Sequence, residues 1–267
     1  MSETNDRPKP VQGLARITAN DLLDGNLYLM TLEAPRIAAS VQPGQFIHLR
    51  VPGMGDHILR RPFGVYDCDL NAGTIDVLYQ VVGHGTKHMS SLPAGTQCDV
   101  MGPLGRGWSL PQGVKRALVV AGGAGAAPLY LFTGRLLESG VETDVVLGAQ
   151  TKGSLVMYDR FEKLLGRAPA CSTDDGTFGY AGFATLPAAE LLRENEYDMV
   201  YCCGPEPLMR SVARLAADNG AACQVSLEKR MACGVGACLS CIVETTEGRK
   251  RSCVDGPVFP AEKVVWA

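Results

Sequence analysis

Several features are missing from this chain, and each absence sets aside a class of function. No stretch of its 267 residues approaches the roughly 20 apolar positions that a transmembrane helix needs. Positive charge is not in excess: 25 Lys and Arg face 28 Asp and Glu, for a net charge of −3. A nucleic-acid binder needs a basic face to neutralise phosphates, so that class is set aside. The segment MSETNDRPKP has no apolar core of the kind a secretory signal carries, and a cytoplasmic protein is expected. His84 and His88 are four apart but no H-E-x-x-H surrounds them, and the four histidines form no evident metal or catalytic set. There is no G-x-S-x-G nucleophile elbow, no internal repeat and no low-complexity tract.

What is present is a globular composition, 46% hydrophobic and 20% charged, on a chain long enough to bury a sizeable core without disulfides. The length suits one large domain or two small ones. Ten cysteines stand out against a cytoplasmic background, where clustered thiols bind metal or do redox chemistry more often than they form a disulfide framework. Cys68, Cys98 and Cys171 are scattered singly, and Cys202 and Cys203 are adjacent. Cys223, Cys233, Cys238, Cys241 and Cys253 crowd the end of the chain.

Residues 1–12 look like a loose polar start. From about Leu14 to Met101 short alternating or apolar runs, such as Phe46 to Val51 and Thr74 to Val81, are separated by Gly, Pro, Asn and Asp. That spacing predicts a small antiparallel barrel or sandwich. Near Pro111 the pattern changes. A buried-strand run at Ala117 to Ala121 leads into Gly122-Gly123-Ala124-Gly125, followed by a helix over Pro128 to Leu137. A strand over Asp144 to Leu147, a helix over about Met157 to Leu165, a strand over Asp198 to Cys202 and a helix over Leu208 to Ala217 come next. Strand, glycine turn, helix, strand predicts a parallel α/β sheet of nucleotide-binding type over residues 111–225. From about Ser226 the segment is too small to own a hydrophobic core, and a metal centre is the obvious candidate to hold it.

The strongest signal is Cys233-Gly-Val-Gly-Ala-Cys238-Leu-Ser-Cys241, with Cys253 on a returning strand. This is C-x4-C-x2-C…C, the plant-type [2Fe–2S] spacing. One loop must wrap a flat two-iron rhomb and deliver three thiolates, and Gly234 and Gly236 let the backbone come close to the inorganic sulfides. The intervening residues read as a hairpin turning at Glu247-Gly248. The competing readings are reduced, unliganded buried thiols and a structural zinc site, although zinc sites usually show two C-x2-C pairs and this chain has one.

Other signals are ambiguous by themselves. Gly122-Gly123-Ala124-Gly125 can present N–H groups to a pyrophosphate. However, Pro128 stands where G-x-G-x-x-G needs its third glycine, and no acid ends the next strand at Gly148-Ala149-Gln150. Taken alone the loop reads equally well as a plain turn. Arg60-Arg61-Pro62-Phe63-Gly64 can pair with phosphate, or be an edge strand with solvated arginines. Gly83-His84-Gly85-Thr86 and Gly102-Pro103-Leu104-Gly105 read first as turns.

Their order makes them specific. Arg61-Pro62-Phe63-Gly64, then Leu78-Tyr79-Gln80 and Gly85-Thr86, then Gly102 to Gly105, then Gly122 to Gly125, then Cys203-Gly204-Pro205 resembles the ferredoxin–NADP reductase superfamily. The tail from Val225 through Cys233 to Cys253-Val254-Asp255-Gly256-Pro257-Val258-Phe259 closely resembles the electron-transfer subunits of NAD-dependent (class 1B) dihydroorotate dehydrogenases. The resemblance covers nearly the whole chain from about residue 13. It implies an FAD-binding antiparallel β-barrel over 1–110, a parallel-sheet NAD-binding α/β domain over 111–225 and a small [2Fe–2S] domain over 226–267.

Carried over by motif, Arg61, Pro62, Phe63 and Gly64 would line the FAD phosphates and isoalloxazine. Leu78, Tyr79 and Gln80 would contact the flavin, and Gly85 and Thr86 its pyrophosphate. Gly122, Gly123 and Gly125 would face the NAD pyrophosphate, with Cys203, Gly204 and Pro205 near the nicotinamide. Asp174, in Thr173-Asp174-Asp175-Gly176, would hold a ribose and favour NAD over NADP. Cys233, Cys238, Cys241 and Cys253 would be the cluster ligands. The chain departs from the family at Gly64, where a small hydroxyl residue is usual, at Gln80, where Arg is frequent, and at Ala124 and Ala126.

A nicotinamide gives two electrons as a hydride, a [2Fe–2S] centre takes one, and a flavin does both. The three together imply a two-to-one electron converter with no catalytic side chain. The resemblance implies a partner: an FMN-containing subunit that oxidises dihydroorotate in pyrimidine biosynthesis, in a heterotetramer of two copies of each. Two alternatives stay open at this point. One is the same converter serving a hydrogenase or another FMN oxidoreductase; the other is a non-catalytic module with structural zinc.

Overall fold

The computed structural model describes residues 9–55 and 57–266, so most of the polar start expected over 1–12 lies outside the described residues. Seven strands form the first sheet: β1 (Val11–Asp24), β2 (Leu27–Glu33), β3 (Phe46–Arg50), β4 (Arg61–Gly64), β5 (Asp67–Asp69), β6 (Thr74–Gln80) and β7 (Gln97–Leu104). Their order is β4-β3-β7-β1-β2-β6-β5, and every pairing is antiparallel. The sheet curls until β4 touches β6, around a core that includes Ile17, Met30, Leu32, Ile47, Leu49, Ile75 and Val77. Period-two alternation sends these residues inward. The expected flavin-type antiparallel barrel is what forms. Two short helices interrupt it, α1 (Pro35–Ala38) and α2 (His84–Met89).

A second sheet follows with β8 (Arg116–Gly122), α3 (Ala127–Glu138), β9 (Glu142–Ala149), α4 (Tyr158–Leu165), β10 (Ala170–Thr173), β11 (Tyr180–Ala181), α5 (Thr185–Glu194), β12 (Met199–Cys203), α6 (Glu206–Asp218) and β13 (Ala222–Ser226). The strand order is β11-β10-β9-β8-β12-β13, all parallel. On α3, Leu129, Phe132, Thr133 and Leu136 are buried, the i, i+3, i+4, i+7 stripe of a helix lying on a sheet. The expected helices and strands form with ends shifted by a residue or two. The strands β10 and β11 and the helix α5 lacked a period clear enough to be anticipated.

The tail adds β14 (Ile242–Thr245), β15 (Gly248–Arg251) and β16 (Val258–Pro260). The hairpin pairs Thr245 with Gly248, so it turns at Thr246-Glu247, one residue before the expected place. The tail also does use core burial: β16 pairs antiparallel with β13 at the sheet edge, and Val243, Phe259, Ala261 and Val264 join a core with Val200, Val212 and Val225.

The two large units share a continuous core. Tyr66 and Leu78 from the barrel pack with Leu129, Phe132 and Tyr201. Trp108 lies at the junction. Its backbone N–H donates to Pro43 O at 2.9 Å and its indole N–H to Pro128 O at 2.8 Å. Its ring lies 5.9 Å from those of both Phe132 and Tyr201. Arg160 on α4 donates to the Tyr66 hydroxyl at 3.0 Å across the same junction. Among the described residues no helix is long and apolar enough to cross a membrane. Truncating Trp108 leaves a large void and strips the Pro128 carbonyl of its indole donor, so Trp108→Ala is expected to cost about 3–5 kcal/mol. Thermal unfolding checks this: the midpoint drops by several degrees, and an unchanged midpoint contradicts the clamp.

Candidate functional site

The loop from Cys233 to Cys241 turns back on itself through three left-handed residues: Gly234 at φ 71°, Gly236 at φ 81° and Leu239 at φ 60°. For Leu239 that conformation is sterically costly, which marks a loop held by its surroundings. Interspersed left-handed residues gather backbone N–H groups into a concavity that suits an anion. The loop does this around sulfur. Cys238 N donates to Cys233 Sγ at 3.4 Å, and the Gly236 N–H points at Cys253.

The sulfurs fall into two pairs. Cys241 and Cys253 are each 1% exposed and hydrogen-bonded to one another. Burial, then the neighbouring Cys241 thiol, pushes the Cys253 thiol up to about 12. Cys233 is half-buried and Cys238 exposed. Hydrogen bonds from Ser240, at 3.1 Å between Sγ and Oγ, help to draw the Cys238 thiol down to about 6. Among the described residues no three His, Cys, Asp or Glu side chains gather as ligands of one ion. Two sulfur pairs with amides aimed at them fit a two-iron centre, which takes two thiolates on each iron.

This loop sits on the barrel. A Cβ on Gly234 would lie 2.7 Å from His48 Nδ1 and 3.2 Å from both Met101 Cε and Leu104 Cδ1, so only glycine lets the loop close onto β3 and β7. Phe46, Leu104, Cys241 and Cys253 form one small core. His48 is fully buried, and burial, reinforced by the charge of Arg60, lowers its pKa to about 4, leaving a neutral ring.

β3 carries this loop on one side and pairs with β4, the Arg61–Gly64 strand, with His48 opposite Pro62 and Phe46 opposite Gly64. The two arginines of the motif divide their tasks. Arg60 ion-pairs with Asp99 at 2.5 Å and donates to its carbonyl at 2.8 Å. The Arg61 guanidinium lies over Gly85, where a Cβ would meet Nε at 2.6 Å, so the structure brings Arg61 and the Gly85-Thr86 segment together. The Thr86 hydroxyl accepts from the backbone N–H groups of Val82 and Gly83 at 3.0 and 3.2 Å, closing the first turn of α2. Phe63 packs on Tyr79 with ring centres 5.9 Å apart. Tyr79 is a barrel-core residue whose hydroxyl donates to Asn20 Oδ1 at 2.9 Å. Leu78 is buried, and the exposed Gln80 donates to Asn26 Oδ1 at 3.2 Å.

The barrel and second sheet meet beside that strand. A Cβ on Gly64 would lie 3.6 Å from Pro128 Cβ at the start of α3. In open parallel sheets ligands bind outside the carboxyl ends of the strands where the strand order reverses, here between β8 and β12. At that point the two glycine turns interlock. A Cβ on Gly125 would strike Cys203 O at 2.5 Å, and one on Gly122 would strike Leu208 Cδ2 at 2.6 Å. Gly204, at φ 154°, lies against Gly122. Gly123 alone is left-handed with open space beside it.

A shallow, open cleft runs from there past Ala126, Leu147 and Gly148 to Ser154–Met157. Cys203 is buried, and desolvation with the nearby Glu228 charge pushes its thiol up to about 12; it donates to Ser226 O at 3.7 Å. Asp174 is exposed on the same rim, just after β10. The Asp175 carboxylate accepts from Thr177 N at 3.0 Å and Oγ1 at 2.7 Å. His48, Trp108 and the Ser154–Met157 segment were not anticipated from sequence; none lies in a motif, and only the fold brings them here.

Comparison with known proteins matches three family models in the same order along the chain. These are an oxidoreductase FAD-binding domain at residues 16–108, an oxidoreductase NAD-binding domain at 119–214, and the iron–sulfur cluster binding domain of dihydroorotate dehydrogenase B at 228–265. The chain is 38% identical to the dihydroorotate dehydrogenase B (NAD(+)) electron transfer subunit of Desulforamulus reducens, covering 94% of this chain and 97% of that one. It is 35% identical to the Fusobacterium nucleatum subunit of the same name, over 89% and 92%. The chain belongs to the family of dihydroorotate dehydrogenase B electron transfer subunits.

As a member of that family it is an oxidoreductase subunit with FAD-, NAD- and iron–sulfur-binding parts. It is also similar to a chain in the structure of an NADH-dependent reduced ferredoxin–NADP oxidoreductase, with 31% identity and a TM-score of 0.87 over 95% of this chain and 90% of that one. A ferredoxin reductase of carbazole 1,9a-dioxygenase, at 19% identity and a TM-score of 0.65 over 79% and 67%, shares the fold.

The thiol environments predict an order of reactivity in cluster-free protein. A thiolate is the nucleophile, so iodoacetamide labels Cys238 first, with a rate that rises as pH passes through about 6. Cys253 and Cys203, held up at about 12, stay unlabelled at neutral pH. Peptide mapping after timed labelling checks this, and equal labelling of all three contradicts the geometry.

Proposed function

We propose that this chain carries electrons between NAD and an FMN-containing dihydroorotate dehydrogenase subunit, by way of FAD on the barrel and a [2Fe–2S] cluster on Cys233, Cys238, Cys241 and Cys253. The observation that carries the reading is the seating of the Cys233–Cys241 loop on β3, the strand next to Arg61–Gly64, whose far end meets Pro128. When bound, FAD exchanges a hydride with NAD and single electrons with the cluster. The side chains then have only to bind, orient and exclude water. Arg61, with the backbone at Gly85 and Thr86, holds the FAD pyrophosphate. Gly122 and Gly125 bring two loops close together, Gly123 leaves open space beside them for the NAD pyrophosphate, and Asp174 takes the ribose and repels a 2′-phosphate. Cys203 remains a protonated thiol and orients the nicotinamide beside Gly204 and Pro205.

The partner docks on the exposed edge of the cluster loop, where Val235 and Leu239 are 53% and 58% exposed on either side of Cys238. Dihydroorotate oxidation resides in that partner, in a cytoplasmic heterotetramer of two copies of each chain. A second reading keeps the cofactors and changes the partner. It is favoured by the 31% identity to the reduced ferredoxin–NADP oxidoreductase chain. The isolated FAD-loaded chain is expected to reduce dyes with NADH and to show no dihydroorotate turnover until a co-purified flavoprotein is added. Dihydroorotate oxidation by this chain alone contradicts the division of labour, and a co-purified partner inert toward dihydroorotate selects the second reading.

A further inference from the structure

His48 has no exposed surface, and neither Nδ1 nor Nε2 has a hydrogen-bond partner among the described residues. A neutral imidazole has one donor and one acceptor, and burying both bare is unfavourable. Its surroundings offer no relief. The Phe46 ring meets it edge-on at 6.3 Å between centres, and Met101 and Leu104 approach the same glycine that it does. The Nδ1 edge faces Gly234, the residue after Cys233. The ring thus stands between the cysteine loop and the strand pair that carries Pro62.

We propose that His48 donates its Nδ1–H to an anionic sulfur of the centre held by the Cys233 loop, and thereby raises that centre's reduction potential. A donor to sulfur stabilises the reduced state, which carries one more negative charge, more than the oxidised one. The inference rests on the reading of the four cysteines as [2Fe–2S] ligands. It adds a residue that belongs to the barrel and that no cysteine motif contains. The tuning group on β3 and the flavin strand β4 then share one β-ladder, so the same ladder that positions the flavin also carries the residue that sets the driving force toward it.

The test is a redox titration of the holoprotein, with the cluster followed by electron paramagnetic resonance and the flavin by absorbance. His48→Phe keeps the ring contacts and removes the donor. It is expected to shift the cluster's reduction equilibrium about tenfold toward the oxidised form, about 59 mV for one electron, with the FAD midpoint unmoved. His48→Asn, which restores an N–H, recovers part of the shift. A second measurement needs no variant: wild-type protein with 15N-labelled histidine is expected to show weak coupling of the reduced cluster's spin to one histidine nitrogen. An unmoved cluster midpoint in His48→Phe overturns the proposal. Should that variant not fold, absence of 15N coupling in the wild type overturns it. A holoprotein with no iron–sulfur resonance at all overturns the reading of the cysteines and this proposal with it.

Discussion

The contact on which the rest depends is the flush packing of Gly234 against His48, Met101 and Leu104. Any side chain there would lift the cysteine loop off the barrel. Because the loop lies flat, Cys241 and Cys253 bury in one small core with Phe46 and Leu104. β3, beneath the loop, is hydrogen-bonded to the Arg61–Gly64 strand. The separation between the sulfur cradle and the strand proposed to hold the flavin is therefore set by a β-ladder of fixed spacing. A one-electron carrier needs a fixed short separation more than it needs any reactive side chain, and the fold supplies that.

The same principle governs the other end of the path. Gly122, Gly125 and Gly204 interlock two strand-end loops at the reversal point of the parallel sheet. Trp108 and the Arg160–Tyr66 pair then lock that sheet to the barrel. The tail is tied to both units, through β16 to the sheet edge and through Gly234 to the barrel. No unit is free to drift, which suits a chain whose task is to hold three groups in line.

Much of this was legible in the residues. Three of the four proposed cluster ligands come from nine consecutive residues, so the C-x4-C-x2-C spacing had to appear locally. Strand and helix periods located most of both sheets for the same reason. Properties that depend on chain segments far apart were not legible. His48 is an ordinary polar residue in a strand until the loop 186 positions later covers it. Gly122 and Gly125 looked like phosphate-loop glycines, yet their backbone also makes room for Cys203 and Leu208. Thr86 was expected at the pyrophosphate, and its hydroxyl is engaged in closing α2. The tail looked too small for a core because the core it uses belongs to its neighbours.

The central claim is that the cysteine loop holds a cluster in electronic contact with a flavin on the same chain. The most direct measurement is anaerobic addition of NADH to the isolated chain, with and without FAD, followed by freeze-quench electron paramagnetic resonance. The account predicts a reduced [2Fe–2S] resonance that appears only when FAD is bound. Flavin bleaching by NADH with no cluster resonance, or equal cluster reduction without FAD, would contradict it.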